Sequence, residues 1–185
     1  GRYAREQKHL DELAALLGLK EPPRIIESYD ISNWGDGTSV AGMVVFEDGK
    51  PKKAGYRRFK MNTVAGTDDY ASMAETLARR AAEYEKGAKG QFGIKPDLLL
   101  IDGGRGQVSA VQAALAGTQL ADVPMFGMVK DDKHRTRGLV SAAGGEIMLA
   151  MHRGVFTFVT SIQDETHRWA NDYRRRMQKS RAYSS

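Results

Sequence analysis

The sequence predicts a mixed α/β domain, in which an antiparallel three-strand meander is followed by parallel strands joined through helices. Two observations carry this prediction. Three β-rich segments follow one another early in the chain with short polar connections between them, as in a meander. After them, segments with helical periodicity alternate with short aliphatic runs, as in a parallel sheet with crossover helices. A length of 185 residues suits one such domain, with or without an extra element, and allows a substantial core.

An N-terminal helix is expected before the meander. Leucines recur at helical spacing over residues 5–19, and the Pro22-Pro23 pair ends the pattern. This helix can pack on the domain or continue a segment that precedes it. Asp48-Gly49 is a hairpin signal between the second strand of the meander and the third. The meander strands are expected at residues 24–32, 38–46 and 52–61.

The second half of the chain is expected to alternate helices and strands. Four consecutive aliphatics, Leu98 to Ile101, lie between Pro96 and a pair of glycines, which predicts a strand buried on both faces. A polar loop is expected at residues 130–137, before a hairpin. The helices, strands and hairpin arms are expected at residues 68–84, 97–102, 106–116, 125–129, 139–141, 146–149 and 156–177.

Two aspartates stand in predicted buried strands. Asp30 interrupts the apolar run of the first strand, and Asp102 closes the aliphatic run of the fourth. Carboxylates from separate strands that converge at a sheet edge suit Mg²⁺ or Mn²⁺, which are hard cations that prefer oxygen ligands. There are plainer alternatives, because Asp30 can cap backbone amides and Asp102 can form a turn with Gly103. The functional prediction depends on whether Asp30 and Asp102 converge.

The order of the elements is that of the ribonuclease H-like architecture, a comparison that rests on fold analogy. In that fold the catalytic carboxylates lie on the first strand, on the fourth strand and at the last helix. The corresponding places in this chain hold Asp30, Asp102 and the helix with Asp164, Glu165 and His167. The expected chemistry is hydrolysis of a phosphodiester with one or two divalent metal ions.

Basic residues are concentrated in three segments. The net charge of +5 is a moderate excess, compatible with a polyanionic partner. Lysine and arginine cluster at residues 52–60, 130–137 and 168–181. Any one cluster can be an ordinary solvated surface. Three clusters around the predicted carboxylate site favour contact with a nucleic-acid backbone.

Composition argues against several other classes of protein. No apolar run approaches the roughly 20 residues that cross a bilayer, so no membrane segment is predicted. Residues 1–6 lack the apolar stretch of a signal peptide. The chain has no cysteine, which rules out disulfides and thiolate metal sites and fits a cytoplasmic protein.

Six segments of the sequence resemble the C-terminal endonuclease domain of UvrC, a subunit of the bacterial excision-repair nuclease. They occur in the family's order between residues 24 and 177, and together they are far more specific than any one alone. The six are Tyr29-Asp30-Ile31-Ser32, Tyr56-Arg57-Arg58-Phe59, Asp68-Asp69-Tyr70, Ile101-Asp102-Gly103-Gly104-Arg105-Gly106-Gln107, Gly127-Met128-Val129-Lys130 and Ile162-Gln163-Asp164-Glu165-Thr166-His167-Arg168.

The resemblance implies a ribonuclease H-like domain that hydrolyses one phosphodiester of damaged double-stranded DNA, on the 5′ side of the lesion. The family's Asp-Asp-His triad would fall on Asp30, Asp102 and His167, as catalytic residues and as ligands of Mg²⁺ or Mn²⁺. The imidazole of His167 can ligate a metal or move a proton. It replaces a carboxylate found in many related enzymes, and the lost negative charge makes one-metal chemistry plausible.

Residues near the triad have expected supporting roles. Asp164 shares the helical face of His167 and can orient the imidazole, although Asp164 and Glu165 can equally be acids of a helix N-terminus. Lys130 can neutralise the scissile phosphate or position Asp102. Because adjacent residues of a strand face opposite ways, only one of the arginines at 57 and 58 can face the site. DNA contacts are expected from Arg57, Arg58, Arg105, Lys130, Arg168 and Arg174.

The sequence departs from the family pattern in residues and in extent. The family usually has Lys where this chain has Arg105, and Arg where it has Gln163, so a phosphate contact at either place would change. Its members also carry an N-terminal nuclease domain, a UvrB-binding segment and a helix-hairpin-helix pair, none of which is recognised here. We expect residues 1–22 to be a linker helix, 23–179 a monomeric endonuclease domain, and 180–185 a tail toward the helix-hairpin-helix module.

Two other functions fit a ribonuclease H-like chain. One is a catalytically inactive module that binds nucleic acid or a protein partner, which the intact Asp-Asp-His set argues against. The other is an enzyme that cuts RNA in hybrids or transfers strands, which the series of motifs disfavours.

Overall fold

The computed structural model of the protein describes residues 1–33, 37–62 and 68–184. Outside this description lie the side chains of residues 2, 3, 62, 173, 174, 177, 178 and 180–184. The α-helices are α1 (Arg2–Leu17), α2 (Asp69–Glu85), α3 (Arg105–Leu115) and α4 (Arg153–Ser184). The strands are β1 (Ile25–Asn33), β2 (Thr38–Glu47), β3 (Lys50–Pro51), β4 (Arg57–Asn62), β5 (Leu98–Asp102), β6 (Met125–Lys130), β7 (Thr136–Val140) and β8 (Glu146–Met148).

The strands of the described residues form one mixed sheet. Their order is β3-β2-β1-β5-β6-β7-β8, and β4 also pairs with β2. The β4-β2-β1 meander and the β6-β7-β8 end are antiparallel, whereas β1, β5 and β6 run parallel to one another. Helices α2 and α3 connect the meander with β5 and β5 with β6. The predicted mixed α/β fold, with a meander followed by parallel strands, is confirmed.

The third strand of the meander is interrupted, in contrast to the continuous strand expected at residues 52–61. The short strand β3 ends at Pro51, which has no N–H to donate, and a 3₁₀ turn at Lys53–Gly55 precedes β4. This turn packs tightly on a neighbouring loop, since a Cβ on Gly55 would lie 2.6 Å from Gln91 Oε1. Packing of the turn against another segment therefore overrides the strand pattern of the sequence.

The C-terminal elements are longer than the sequence suggested. The predicted hairpin is present as β7 and β8, but β7 begins at Thr136, inside the segment expected to be a polar loop. Thr136 pairs with Lys130 of β6 and is buried, so tertiary contacts hold this polar segment in the sheet. The last helix also exceeds the expected range of 156–177 and is helical through residues 180–184.

A helix layer covers each face of the sheet. On one face, Tyr29 of β1 packs in a cluster with Met73 of α2. On the other, Leu100 of β5 packs with Leu13 of α1 and Ile162 of α4. The N-terminal helix therefore packs on the domain, which was one of the two alternatives left open by its sequence. Within the described ranges, no helix has the length and apolar character needed to cross a bilayer.

A buried ion pair fastens α2 to the sheet. The side chains of Arg80 and Glu27 are completely buried, with Arg80 Nη2 2.8 Å from Glu27 Oε2. The Tyr29 hydroxyl donates to Glu27 Oε1 over 2.6 Å, and Arg80 also donates to the carbonyls of Phe92 and Ile94. Since so many hydrogen bonds satisfy both ions, the pair is structural, and loss of either partner would leave a buried charge without its counter-ion.

The helix α4 lies close across β1 and β2 because the strands present small groups to it. Gly42 of β2 has no room for a side chain, since a Cβ there would lie 3.0 Å from both Ala170 Cβ and Trp169 Cδ1. The Thr166 hydroxyl donates to Ser28 Oγ of β1 over 2.8 Å. These contacts fix the height and rotation of α4 over the strand that carries Asp30.

Replacing Arg80 with leucine should lower the free energy of unfolding by about 3–5 kcal/mol, because Glu27 would stay buried without its counter-ion. Urea denaturation followed by circular dichroism measures the loss. Arg79→Leu is the matched control on the same helix, since Arg79 is half-exposed and its ion pair with Glu75 is a surface one. An equal loss in both variants, or none in Arg80→Leu, would contradict the structural role of the pair.

Candidate metal centre

The register of the parallel strands brings Asp30 and Asp102 together. Tyr29 of β1 pairs with Ile101 of β5, so the next residue of each strand, Asp30 and Asp102, lies at the same level. Tyr29 and Ile101 face α2 and α3, and the residues that follow them therefore face α4. Both carboxylate side chains are largely buried, with exposed fractions of 9% and 11%. Two acids thus lie side by side at the carboxyl ends of neighbouring strands.

His167 is brought over this pair by α4. Its Nδ1 atom lies 3.0 Å from Asp30 Oδ2. One turn further along α4, the Asn171 amide donates to the backbone carbonyl of His167 over 2.8 Å and lies 3.3 Å from the imidazole nitrogens. One ligand atom each from Asp30, Asp102 and His167 can be chosen so that all three lie within 4.8 Å of one another. The structure therefore brings together the three residues on which the functional prediction depended.

Both oxygens of Asp102 are held by neighbours. Lys130 Nζ lies 3.2 Å from Oδ2, and Gln163 Nε2 donates to Oδ1 over 2.9 Å. The Thr136 hydroxyl in turn donates to the amide oxygen of Gln163, which is itself buried. In the sequence, Gln163 stands out only as a departure from the family pattern. Its spacing of four residues from His167, which puts both on one helical face, was the signal that could have found it.

The electrostatics of the pair favour an added positive charge. The pKa of Asp30 is raised from its usual 3.8 to about 6: burial is the largest cause, the hydrogen bond with His167 opposes it, and the nearby charge of Asp102 adds to the rise. The hydrogen bond to Asp30 raises the pKa of His167 above its usual 6.5. Because the ionised form of Asp30 is disfavoured beside Asp102, a cation that touches both carboxylates would relieve the repulsion.

Asp164 and Glu165, the two acids with expected supporting roles, do not join the cluster of Asp30, Asp102 and His167. The Glu165 carboxylate accepts a hydrogen bond from Tyr56 over 2.8 Å and pairs with Arg168 at 2.7 Å, and the Arg168 contact lowers its pKa. Asp164 is exposed and lines a cleft between α4 and the β6–β7 connection. Among the described residues, Asp30 and Asn171 contact the His167 ring and Asp164 does not. Since α4 begins at Arg153, neither acid caps its N-terminus.

The two arginines of β4 lie on opposite faces of the sheet, as the alternation predicted. Arg58 pairs across the sheet with Gly42, which pairs with Asp30, so Arg58 is on the face of the site. Its guanidinium stacks 3.3 Å above the centroid of the Trp169 ring. Arg57 is on the other face, where its guanidinium lies 5.3 Å from the Phe92 ring. Of the two, only Arg58 shares the site's face.

The other predicted DNA-contacting residues are spread around the site. Lys130 touches Asp102, whereas Arg168 lies on the surface of α4 and pairs with Glu165. Arg105 begins α3 and donates to the Ala142 carbonyl in the β7–β8 turn, which places it beside that hairpin. Arg174 lies on α4, and its side chain is outside the described residues.

A basic cleft opens beside His167, between α4 and the β6–β7 connection. It has a volume of about 710 Å³. Its walls carry cationic and polar side chains, among them Lys130, His134, Arg135, His167, Asn171 and Arg175. Such a lining fits an anionic chain that passes over the carboxylate pair.

The donor set is consistent with a divalent metal ion. Two carboxylates and one imidazole offer hard oxygen ligands and one nitrogen ligand, which suit Mg²⁺ or Mn²⁺ at the carboxylates and Mn²⁺ at all three. Fold and site together define the class: a ribonuclease H-like domain with a candidate metal centre at the carboxyl ends of β1 and β5.

The chain belongs to the family described as the UvrC RNase H endonuclease domain, whose model matches residues 14–170. This bears out the resemblance seen in the sequence motifs. Relatives with the name UvrABC system protein C include that of Alkaliphilus oremlandii, which is 45% identical over 95% of this chain and 30% of its own length. The relative from Acetivibrio thermocellus is 45% identical over 93% of this chain and 29% of its own. The chain thus spans about a third of the length of these curated relatives.

Solved structures similar to this one include human endonuclease V, with a TM-score of 0.44 and 16% identity over 79% of this chain and 72% of its own. Endonuclease V of Ciona intestinalis, in complex with a DNA that contains inosine, has a TM-score of 0.44 and 14% identity over 69% of this chain and 55% of its own. Likenesses this remote have no bearing on function.

Asp30→Asn should stabilise the metal-free protein above pH 6. Because the pKa of Asp30 is raised from 3.8 to about 6, its contribution to stability is complete below pH 3.8 and is lost as pH rises through 6. His167, whose pKa is also raised, loses its contribution in the same direction. At pH 8 the variant should therefore unfold about 2–4 °C above the wild type, a change of about 1 kcal/mol.

Thermal melts at pH 5 and pH 8, with and without Mn²⁺, measure this effect. Mn²⁺ should raise the melting temperature of the wild type at pH 8 and leave that of Asp30→Asn nearly unchanged. Asp122→Asn is the matched control, since Asp122 is an exposed acid paired with Lys95 away from the cluster. A variant that melts well below the wild type at pH 8 without metal would refute the electrostatic account.

Proposed function

We propose that this chain is the catalytic domain of a metal-dependent DNA endonuclease that makes the incision on the 5′ side of a lesion in nucleotide excision repair. One observation carries the proposal: ligand atoms of Asp30, Asp102 and His167 lie within 4.8 Å of one another. They do so in a chain of the UvrC RNase H endonuclease domain family. The reaction class is hydrolysis of one phosphodiester bond.

Asp30, Asp102 and His167 are the proposed catalytic residues and the proposed ligands of Mg²⁺ or Mn²⁺. A divalent ion bound there would supply an activated water and stabilise the negative charge of the reacting phosphate. The protein's part is to hold the ligands: Gln163 fixes one oxygen of Asp102, and the Asp30 carboxylate orients His167. The imidazole is well exposed, with 62% of its surface accessible, so it can exchange a proton with the attacking water or the leaving oxygen.

The basic cleft is the proposed path of the DNA strand to the triad. Phosphate contacts there position the strand without reading its sequence, so little sequence preference is expected. Lys130, beside Asp102, is placed to neutralise the phosphate nearest the carboxylates. Arg58, Arg168, Arg105 and Arg174 are proposed to contact DNA around the cleft. Arg57 would reach only DNA that wraps onto the opposite face.

The proposed partners are those of a full-length UvrC protein. They are damaged double-stranded DNA and UvrB, the latter bound by a segment not recognised in this sequence. Residues 23–179 are proposed to act as the endonuclease domain, monomeric in isolation, with residues 1–22 as a linker helix. Residues 180–185 would lead toward a helix-hairpin-helix module. The proposed location is the cytoplasm, where bacterial DNA lies.

The wild-type protein should nick a lesion-containing duplex when Mn²⁺ is added, and Asp30→Asn, Asp102→Asn and His167→Ala should each be slower by at least about 100-fold, because each removes a ligand or a proton-transfer group. Nicking of an end-labelled duplex is measured under single-turnover conditions. Asp122→Asn, at an exposed acid outside the cluster, should retain full activity.

Three outcomes of this experiment are decisive. Activity in Asp30→Asn or Asp102→Asn equal to that of the wild type would refute the site. A wild type that binds DNA but never nicks it would support the inactive binding module instead. Nicking of RNA–DNA hybrids in preference to damaged duplexes would support a different ribonuclease H-like activity.

DNA binding should be weak and strongly dependent on salt, because phosphate contacts dominate it. Fluorescence anisotropy from low to physiological salt gives the slope of log K against log salt. Arg175→Ala removes a cation from the cleft wall and should reduce the slope by about 0.9. Lys20→Ala, in a groove lined by residues such as Pro22 and Asp122, should leave it unchanged. Binding that does not vary with salt would contradict the proposed path.

A further inference from the structure

A second, smaller cleft adjoins Asp102 on the side away from His167. It has a volume of about 370 Å³ and lies between the N-termini of α2 and α3 and the end of β6. Its lining includes Asp69, Tyr70, Gly103, Gly104, Gln107 and Lys130. In open α/β sheets, ligands bind in crevices at the carboxyl ends of the strands, and this cleft is one.

Tyr70 forms an exposed aromatic wall of this cleft. Its exposed fraction is 54%, which is high for a large side chain with an apolar ring. The ring lies against α3, because a Cβ on Gly106 would lie 2.6 Å from its hydroxyl oxygen. The α2 turn that carries it is hydrogen-bonded to β1, since Asn33 Nδ2 donates to Asp69 Oδ1 over 2.7 Å. The protein therefore holds an aromatic face toward solvent next to its carboxylate pair.

Gln107 is an unsatisfied polar group in the lining of the same cleft. Its residue is 7% exposed, and its side chain folds over Gly103, which has a positive φ of 150° and no room for a Cβ. Among the described residues, no group donates a hydrogen bond to its buried Oε1 atom. Buried amide oxygens nearly always accept a hydrogen bond, so this one calls for a donor from a ligand or water.

The cleft also offers positive charge at its Asp102 end. Lys130 lines both this cleft and the larger basic cleft. The helix α3 begins at Arg105 with Gly104 as its N-cap, so the first N–H groups of the helix and its positive dipole end lie beside the cleft. A Cβ at Gly104 would meet open space, which leaves the backbone there accessible to a bulky anion.

We propose that this cleft is a nucleotide subsite, which takes the nucleotide next to the scissile phosphodiester in an unpaired conformation. The base stacks on Tyr70, the Gln107 side chain turns toward the cleft so that its Oε1 accepts an N–H of the base, and the phosphate lies toward Lys130 and the start of α3. This subsite rests on the proposed DNA endonuclease function. Stacking tolerates any base, since every base has a π face, so the subsite adds affinity without strong sequence preference.

A single nucleotide accounts for all three features at once. A phosphate alone would use the lysine and the helix terminus but not the aromatic face or the amide acceptor. An apolar peptide side chain would use Tyr70 but leave Gln107 and Lys130 without partners. A nucleotide combines an aromatic plane, N–H donors and an anion within one small unit.

The test uses the whole chain with Mn²⁺ and a nicked-product assay. Oligonucleotides carry 2-aminopurine on either side of the cut, so that stacking is read as fluorescence quenching. Tyr70→Ala should raise the half-saturating DNA concentration about tenfold, which corresponds to a loss of roughly 1.4 kcal/mol of stacking energy. It should also abolish the quenching of 2-aminopurine at one of the two positions. Tyr70→Phe should behave as the wild type in both respects.

Two controls separate this role from a structural one. Mn²⁺ affinity without DNA should be the same in Tyr70→Ala and wild type. Met151→Ala, which shortens a side chain that is 91% exposed, should change neither the half-saturating concentration nor the quenching.

The outcomes distinguish the subsite from the function on which it rests. A wild type that nicks DNA, together with a Tyr70→Ala variant that binds and quenches equally well, overturns the subsite and leaves the endonuclease proposal intact. A wild type that neither binds nor nicks DNA overturns both. Loss of affinity in Tyr70→Ala with unchanged Mn²⁺ binding and rescue by Tyr70→Phe supports the subsite.

Discussion

The close contact between α4 and the β1–β2 pair is the constraint on which the candidate site depends. Gly42 leaves room for Ala170, and Ser28 accepts a hydrogen bond from Thr166. One residue after Thr166, His167 reaches Asp30 at 3.0 Å. A larger side chain on β2 would push the helix outward, and the imidazole would leave the carboxylates although every residue of the triad was still present. The site is therefore a property of helix-on-sheet packing as much as of three side chains.

The strand β1 carries acids of opposite character on its two faces. Glu27 faces α2 and is satisfied inside the protein by Arg80 and the Tyr29 hydroxyl. Asp30 faces α4 and lies beside a second carboxylate, and burial and that neighbour raise its pKa to about 6. The first acid stabilises the fold because its counter-ion is built in. The second acid has no built-in counter-ion of this kind among the described residues, and a bound cation would relieve its repulsion with Asp102. A strongly shifted pKa of this origin is typical of functional acids rather than structural ones.

The two clefts share Lys130, whose Nζ lies 3.2 Å from Asp102 Oδ2. The larger cleft carries several cationic side chains that could contact the phosphates of a DNA strand. The smaller cleft carries the aromatic ring of Tyr70, the amide of Gln107 and the ammonium group of Lys130. In the proposed function, phosphate contacts in the larger cleft would set the register of the DNA strand, and stacking in the smaller cleft would order one nucleotide. Gln163 lines the larger cleft, and its amide holds Asp102, which lines the smaller one.

The sequence by itself determined the order of strands and helices and the mixed α/β class, because strand alternation and helical spacing are local patterns with fixed periods. Its motifs determined the family, and they predicted Asp30, Asp102 and His167 as the candidate site residues that the structure brings together. It also determined that only one of Arg57 and Arg58 could share the site's face. Tertiary structure alone decided that β7 would begin at Thr136, that Glu165 would pair with Tyr56 and Arg168 away from the triad, and that Gln163 would hold Asp102. Those outcomes depend on which segments pack together across long stretches of chain, and no local period encodes that packing.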